Sequence, residues 1–551
     1  MEKHLAETAT ERDNGAEFEK LSERGHFAQD IALLYAARAT NAATESFRAV
    51  QLAEVSSAGA AISAMSVRLA AGGGTRAGII RQRQDLLQQW QGFDSALTKA
   101  VSNPTAQREA AVEASLRTAL AETSKRLDAL DTRIADDFPD FAELSNPTPL
   151  NAGAAQSLLT TDEALLVYLI TNKATWLWVL RRDDFGFYQI EIGAKELASD
   201  VKVLRSSLDP MLNPDRRAFQ AARAYELYRK LVGPAEPLLA GVRHLLIVPD
   251  AALRSLPLGV LVTKAPDHAP ETLADHRDIA WLARDYAMTV LPSVSSLRAL
   301  RQFANSEQAS APFLGVGDPV LNGPPARAPG VTLASLYRGA IADVNKVRAL
   351  PPLPETADEL RAMAKTLSAS DSDLLLGKQA SETVLRQMPL DRYRVVAFAT
   401  HGLMSGELKG LAEPALVLTP PVEATAENDG LLTASKIATL KFNADWVVLS
   451  ACNTAADDGT PDGGGLSGLA KAFFYAGARS LLVSHWPVQS DAAVKLTTSA
   501  FAELAKDPAI GRAEALRRSM IAMSDSQNPP EFAHPLYWAP FVLVGEGGAG
   551  R

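Results

Sequence analysis

The sequence contains one cysteine, Cys452, in 551 residues. A single thiol excludes a framework of intrachain disulfides and suits a reducing compartment. An excess of positive charge is also absent, because 55 Lys and Arg residues stand against 64 Asp and Glu residues and leave a formal net charge of -9. A protein with this net negative charge offers no general nucleic-acid-binding surface, so we expect no direct nucleic-acid partner.

Long apolar runs are absent as well. No stretch approaches the roughly 18 to 20 apolar residues of a membrane span. The first twenty residues carry charges of both signs and lack the apolar core of a secretory signal. We therefore expect a cytoplasmic protein without a membrane partner. Its 47% hydrophobic and 22% charged residues are typical of a globular protein, and its length predicts two or three domains.

Helix-forming residues dominate the stretch from about His26 to Phe138. Breaks at 72–74 and 103–104 predict at least three helices, paired antiparallel. Residues 1–145 are thus predicted to be an α-helical packing or docking module. A clean 34-residue tetratricopeptide signature is absent, and degenerate repeats of that helical-hairpin kind stay an open alternative. An apolar stripe supports the helical prediction and consists of Leu116, Leu120, Leu127, Leu130 and Ile134.

A proline-bearing connection runs from Asp140 to Ala155. After it, the spacing of the apolar residues changes from one typical of helices to one typical of strands. An α/β unit is predicted over residues 155–305. None of its strand ends carries a cysteine or an acid-base pair, and His244 begins its strand instead of ending it. We therefore expect no chemistry in this unit. Its strands are predicted at 164–171, 175–181, 185–192, 244–249 and 287–292.

Two buried apolar runs organise the unit predicted over residues 310–551. RVVAFATHG (394–402) reaches His401, and WVVLSACNT (446–454) reaches Cys452. Such runs are typical of central strands in a parallel sheet that helices cover on both faces. Open α/β sheets bind and react at the carboxyl ends of their strands. The pattern therefore predicts a thiol and an imidazole on one rim of an α/β sheet.

The chemistry of this pair favours nucleophilic catalysis. An imidazole raises the thiolate fraction of a nearby thiol and protonates a leaving amine, so His401 and Cys452 are the predicted catalytic residues. Gly402 lets a scissile carbonyl approach the backbone closely. Its N–H and that of Cys452 are predicted to form an oxyanion hole. The sequence requires no third catalytic residue.

Seven short motifs follow one another along the second half of the chain. They are Leu353 to Glu359, Ala399 to Gly402, Asp429 to Thr433, Leu449 to Thr454, Gly465 to Gly477, Ser484 to Asp491 and Tyr537 to Phe541. In this order they resemble the CHAT peptidases, bacterial relatives of caspases and separases that use a His-Cys dyad. The resemblance covers about residues 159–545 and is tightest after Leu350. The interval of about 50 residues between histidine and cysteine is also typical of caspases.

This resemblance implies a caspase-like, parallel-rich sheet with helices on both faces. It implies a degenerate, non-catalytic unit at 155–305 and an active cysteine endopeptidase unit at 310–551. Peptide bonds of a protein substrate would be cleaved through a thioester acyl-enzyme, without a cofactor or a metal. The sequence around Cys452 differs from the caspase signature, so caspase-type aspartate specificity is not expected.

Acidic side chains flank the predicted specificity pocket, which lies between the His401 strand and the strand at 313–319. Like charge disfavours an acidic substrate residue, so a basic or uncharged residue is expected before the cut. The predicted pocket residues are Asp318, Glu355, His485, Trp486 and Asp491.

Some candidate residues have structural alternatives. Asp491 begins a helix and suits an N-cap, and Asp429 precedes a glycine and suits a side-chain-capped turn. His534, in a proline-rich turn, is expected to be structural. The glycine-rich segment at 462–465 lacks the Gly-Lys-Ser/Thr ending of a phosphate loop, so a nucleotide site is not expected there.

Two other functional classes stay open. A binding scaffold would keep the fold without activity. A zinc hydrolase would use His401, Cys452 and His485 as ligands together with a water. The helical region further predicts a protein activator or partner, because an unregulated cytosolic peptidase would be hazardous.

Overall fold

The computed structural model describes residues 15–38, 40–53, 62, 75–102, 108–137, 149–210, 212–213, 218–302, 309–323, 337–338, 341–403, 413–425, 427–450, 468–525 and 527–549. They form two compact units, one between residues 15 and 150 and the other from Asn151 onward. Cys452, the breaks predicted at 72–74 and 103–104, and the segment 462–465 lie outside the described residues. Within the described ranges, no helix combines the length and the apolar character that a membrane crossing requires.

Helices make up the described part of the first unit. They are α1 (Gly15–Ala36), α2 (Ala42–Ala53), α3 (Thr75–Ser102) and α4 (Ala110–Asp137), and they pack in two pairs, α1 with α2 and α3 with α4. Arg83 on α3 contacts Asp131 on α4, and Trp90 Nε1 donates to Ser124 Oγ over 2.8 Å. The residue numbers rise along α3 while their partners fall along α4, so this pair is antiparallel. The predicted helical region is confirmed.

One large sheet forms the centre of the second unit. Its strands are joined in the order β3-β2-β1-β4-β5-β16-β15-β14-β10-β6-β9, and two small sheets join β7 to β8 and β11 to β12 to β13. The strands are β1 (Glu163–Ile170), β2 (Thr175–Leu180), β3 (Phe185–Ile190), β4 (His244–Val248), β5 (Ala287–Val290), β6 (Ala311–Pro319), β7 (Tyr337–Arg338), β8 (Ile341–Ala342), β9 (Leu374–Gly377), β10 (Tyr393–Ala399), β11 (Gly402–Leu403), β12 (Ala415–Val417), β13 (Leu431–Thr433), β14 (Trp446–Ser450), β15 (Ser480–Ser484) and β16 (Phe541–Gly545).

Most neighbours in the large sheet are parallel, and the antiparallel junctions are β1–β2, β2–β3 and β15–β16. Strands β1, β4 and β15 are buried at every position, as expected when helices cover both faces of a sheet. The helices are α5 (Ala152–Ser157), α6 (Ala194–Leu208), α7 (Ala221–Leu231), α8 (Leu282–Asp285), α9 (Val294–Gln302), α10 (Val344–Arg348), α11 (Glu355–Thr366), α12 (Glu382–Gln387), α13 (Ala434–Ala438), α14 (Gly468–Ala476), α15 (Ser490–Lys506), α16 (Arg512–Met523) and α17 (Pro535–Trp538).

The two α/β stretches predicted from the sequence share this one sheet. Strand β5, from the first stretch, pairs in parallel with β16, the last strand of the second, through Val290 and Val544. The predicted fold class is confirmed: a mixed α/β fold with a mostly parallel sheet, preceded by a helical region. The domain boundaries at 1–145, 155–305 and 310–551 stay predictions.

Helix α11 packs tightly over the ends of the strands that lead to the candidate site. It contacts β6 and β10, and it buries Leu360 and Met363 completely. A Cβ added to Gly317 in β6 would lie 2.6 Å from the Ala399 carbonyl oxygen and 2.7 Å from Leu360 Cδ1. Glycine is therefore required at 317, because only a bare backbone leaves room for α11 and β10 together.

Candidate active site

Strands β10 and β14, which lead in the sequence to the two candidate catalytic residues, are parallel neighbours in the sheet. Ala399, the last residue of β10, pairs with Ser450, the last residue of β14. His401 lies two residues beyond Ala399, and in the sequence Cys452 lies two residues beyond Ser450. The prediction that both runs form buried strands of a parallel sheet agrees with the fold as far as Ala399 and Ser450. The contact between the two side chains stays a prediction.

The imidazole of His401 is anchored by a backbone carbonyl. Its Nε2 lies 2.9 Å from the carbonyl oxygen of Pro351, which has no proton to donate, so Nε2 carries the hydrogen. Nδ1 is then the nitrogen with the lone pair whenever the ring is neutral. Burial lowers the pKa of His401 below its ordinary value, although the Pro351 carbonyl and Glu355 act in the opposite direction. The neutral ring is therefore the main form at neutral pH.

The backbone around His401 is fixed by the small sheet β11–β12–β13. The carbonyl of His401 accepts from the Val417 N–H over 2.9 Å, and Thr400 Oγ1 donates to the Val417 carbonyl over 2.6 Å. Gly402 pairs with Leu416 in this sheet. Strands β12 and β13 form an antiparallel hairpin, and the bonds from Val417 in this hairpin hold the loop that carries His401. The oxyanion-hole role of Gly402 stays a prediction.

The predicted pocket acid Glu355 acts electrostatically on both Asp318 and His401. Burial raises the pKa of the Asp318 carboxyl, Arg361 opposes this change, and Glu355 adds to it. Glu355 also raises the pKa of His401, so Glu355 lies close enough to influence both side chains. Asp318 has a left-handed φ of 48°, and its N–H donates to Thr356 Oγ1 over 2.9 Å. This bond ties the end of β6 to the first turn of α11.

Comparison with known proteins identifies the family. The sequence model of the CHAT domain matches residues 221–546, which is more than half of the chain. The chain belongs to the CHAT domain family. The resemblance inferred from the motifs is thus confirmed, and all the predicted site residues fall within the CHAT domain.

Two curated proteins are similar to short parts of this CHAT protein. Tetratricopeptide repeat protein 28 of Mus musculus is 34% identical over 115 residues, and that of Homo sapiens is 35% identical over 120 residues. Each alignment covers 21% of this chain and 4% of the relative. The chain therefore spans only a small part of these relatives.

Solved structures of the Saccharomyces cerevisiae separase-securin complex are also similar to the CHAT protein. One matches with a TM-score of 0.41 and 12% identity, over 86% of this chain and 36% of that chain. Another has a TM-score of 0.41 and 10% identity, over 84% and 37% of the two chains.

His485 and Trp486 of the CHAT protein lie at the end of β15 and are buried. His485 lines a cavity of about 80 Å³ together with Pro249 and Met288, and His401 is not among its lining residues. Burial lowers the pKa of His485 to about 3, and Arg205 adds to the effect. Trp486 is fully buried, and its Nε1 donates to the Leu536 carbonyl over 2.9 Å. Their assignment to a substrate pocket stays a prediction.

Asp491 is exposed in the first turn of α15. The N-cap of that helix is Gln489, so the alternative that Asp491 is the N-cap is wrong. Its Oδ1 accepts from the Ala492 N–H over 2.8 Å. A carboxylate in the first turn is favourable for the helix dipole, and this position also leaves it open to solvent and to a substrate.

Asp429 organises a turn. Its carboxylate accepts from the Leu431 and Ala342 N–H groups, and Lys436 Nζ lies 2.7 Å from its Oδ1. The turn requires Gly430, which has a φ of 88°. The side-chain-capped turn, the alternative considered from the sequence, therefore describes Asp429 well.

Sequence reasoning gave no role to three residues that contact the candidate strand ends. Pro351 contributes a backbone carbonyl, which carries no sequence signal. Ser450 Oγ donates to Glu359 Oε2 over 3.1 Å. A signal for Glu359 does exist, since it lies on the buried face of α11 beside Leu360 and Met363, where a carboxylate is out of place.

Metal ligation was the remaining alternative for the site. Among the described residues, no group of three His, Cys, Asp or Glu side chains lies close enough together to hold a metal ion. The zinc hypothesis includes Cys452, which the structure does not describe. Metal analysis of the purified protein tests it, because a zinc hydrolase would carry about one zinc ion per chain.

Proposed function

We propose that this CHAT protein is a cysteine endopeptidase that cleaves a protein substrate through His401 and Cys452. The observation that carries the proposal is the register of β10 and β14, which gives both residues the same offset from paired strand ends. Membership of the CHAT family supports a protease-related function. The neutral, anchored imidazole of His401 is the form that a general base requires.

In the proposed reaction, Nδ1 of His401 takes the thiol proton and the Cys452 sulfur forms a bond to the scissile carbonyl carbon. The carbonyl electron pair moves to the oxygen, which the N–H groups of Gly402 and Cys452 stabilise. When that pair returns, the C–N bond breaks and the amine leaves with the proton from His401. Water then hydrolyses the thioester and restores the thiol.

Thiol alkylation tests this proposal without a known substrate. Because Cys452 is the single cysteine, iodoacetamide labelling followed by intact mass measurement reports on it alone. An activated thiol labels rapidly below the ordinary cysteine pKa of about 8.5, and His401→Ala should slow labelling at pH 7 about tenfold. A catalytically silent binding scaffold, the alternative function, predicts the same slow rate in both proteins.

Substrate selectivity follows from the acidic side chains. We propose that the residue before the cut is basic or uncharged, with basic residues favoured by Asp491. Asp491→Ala should then lower kcat/KM for Arg or Lys substrates more than for matched Gln substrates. Asp507→Ala, at the other end of α15, is the control and should change neither. Equal losses on both substrates after Asp491→Ala would contradict the role in selectivity.

The helical unit is proposed to bind a protein activator. Its described helices carry no site chemistry, and Leu33 on α1 exposes 67% of its surface beside the groove between α1 and α2. We expect the intact chain to be nearly inactive until a partner binds, and deletion of residues 1–140 to change regulation more than chemistry. Full activity of the purified intact chain on an unstructured protein would refute this.

A further inference from the structure

The segment 351–359 makes hydrogen bonds at the carboxyl ends of three adjacent strands: within β6, within β14, and two residues beyond the end of β10. One short segment therefore sets the relative positions of the strand ends that lead to both candidate catalytic residues. The three contacts are the Asp318 N–H to Thr356 Oγ1 (2.9 Å), His401 Nε2 to the Pro351 carbonyl oxygen (2.9 Å) and Ser450 Oγ to Glu359 Oε2 (3.1 Å).

Burial of the Glu359 carboxyl is energetically unfavourable. Its side chain is buried, with 2% exposure, and in the described part of the chain its Oε1 has no hydrogen-bond partner. Burial raises the pKa of Glu359 to about 7, the bond from Ser450 opposes this change, and Glu355 adds to it. An apolar side chain of similar size would fill the same space without the free-energy penalty of removing a carboxyl group from water. What the carboxyl adds is its bond to Ser450.

We propose that Glu359 is a positioning residue that acts through Ser450 to hold Cys452 beside His401. Ser450 is the last residue of β14, so its hydroxyl is the final side-chain anchor before the chain continues to the cysteine. The same segment holds His401 through Pro351. This inference rests on the proposed function, and Glu359 itself is not expected to touch the substrate.

Four variants of the full chain test the role. Glu359→Met removes the acceptor and keeps most of the volume, Glu359→Gln keeps an acceptor, and Ser450→Ala removes the donor with little change in packing. Met363→Val is the matched control, because Met363 is an apolar side chain buried on the same helix. The readouts are the iodoacetamide labelling rate of Cys452 at pH 7, kcat and KM for a peptide, and Tm.

Glu359→Met and Ser450→Ala should each slow labelling and lower kcat about tenfold with KM little changed, since a displaced thiol reacts slowly while substrate contacts stay in place. The double variant should be no slower than the singles, because both remove one interaction. Glu359→Gln should recover most of the rate. Met363→Val should lower Tm without changing the labelling rate.

Labelling rates that stay at the wild-type value in Ser450→Ala and Glu359→Met would overturn the inference, whatever happens to Tm. If Glu359→Met does not fold, the labelling rates of Ser450→Ala and Glu359→Gln still test the positioning role. His401→Ala separates this failure from failure of the proposed function. Slower labelling in His401→Ala together with unchanged labelling in Ser450→Ala rejects only the positioning role, whereas unchanged labelling in His401→Ala rejects the dyad.

Discussion

Replacing Cys452 by alanine is expected to lower kcat/KM for a protein substrate by at least about 10³-fold, because the substitution removes the nucleophile. His401→Ala should cause a loss of similar size, since the thiol then lacks its base and the amine lacks its proton donor. We expect the fold to survive, because His401 lies beyond the end of β10 and is only partly buried, and Cys452 is predicted to lie at the same rim of the sheet. Cleavage rates and Tm of each variant are the measurements.

The two losses should not add. A double variant should be no less active than the worse single variant, because the two residues act as one catalytic unit. His268→Ala is the control: this histidine is exposed and is not one of the predicted site residues, and its replacement should leave the rate unchanged. Wild-type cleavage by Cys452→Ala or His401→Ala would exclude the dyad.

Arg301→Met is expected to cost about 3 to 5 kcal/mol of unfolding free energy, because it removes the guanidinium that two buried carboxylates share. Arg301 Nη2 lies 2.6 Å from Glu163 Oε1, and its Nε lies 3.0 Å from Glu546 Oε2. The three side chains are no more than 4% exposed. Glu163 begins β1 and Glu546 follows β16, so the cluster joins both α/β stretches of the sheet.

The unfolding free energy that Arg301→Met removes should decrease as the pH falls. Burial alone would raise the pKa of Glu546, and Arg301 overcomes this effect and lowers it. The pair is therefore fully stabilising above the unfolded carboxyl pKa of about 4.3, and its contribution falls as the pH drops through the lowered folded value. Arg301→Met should thus be most destabilising near neutral pH and less so in acid, where the carboxyls are protonated.

Urea unfolding near pH 7.5 and near pH 3, on either side of the unfolded carboxyl pKa, measures both effects. Arg223→Met is the matched control, because Arg223 also lies 2.6 Å from its partner, Asp200, but is 43% exposed. That variant should cost no more than about 1 kcal/mol, the range of surface ion pairs. Equal losses of unfolding free energy in the two variants would show that burial does not strengthen the contribution of the Arg301 cluster to stability.

The sequence was sufficient to predict the candidate strands but not which side of the sheet each side chain faces. The centres of the two runs, 395–399 and 446–449, are uniformly apolar, so burial and strand type follow from composition. The same uniformity removes the alternation that would show a side chain's direction. His485 ends its strand just as His401 does, yet it lines a separate cavity.

Long-range backbone contacts were also beyond the sequence. The pairing of β5 with β16 joins residues far apart in the chain through Val290 and Val544, and nothing in either short apolar run selects the other. The carbonyl of Pro351 acts through its backbone, for which any residue type would serve. Glu359 was predictable in principle, because a carboxylate on the buried face of an amphipathic helix requires a reason.

The most direct test of the central claim is a cleavage profile against a peptide library, recorded for the intact chain, for the chain without residues 1–140, and for Cys452→Ala. We expect the chain without residues 1–140 to cut peptides at defined positions after basic or uncharged residues. Cys452→Ala should cut none of them. Identical cleavage by Cys452→Ala would contradict the central claim. So would the absence of any cut by both wild-type chains, or a preference for aspartate before the cut.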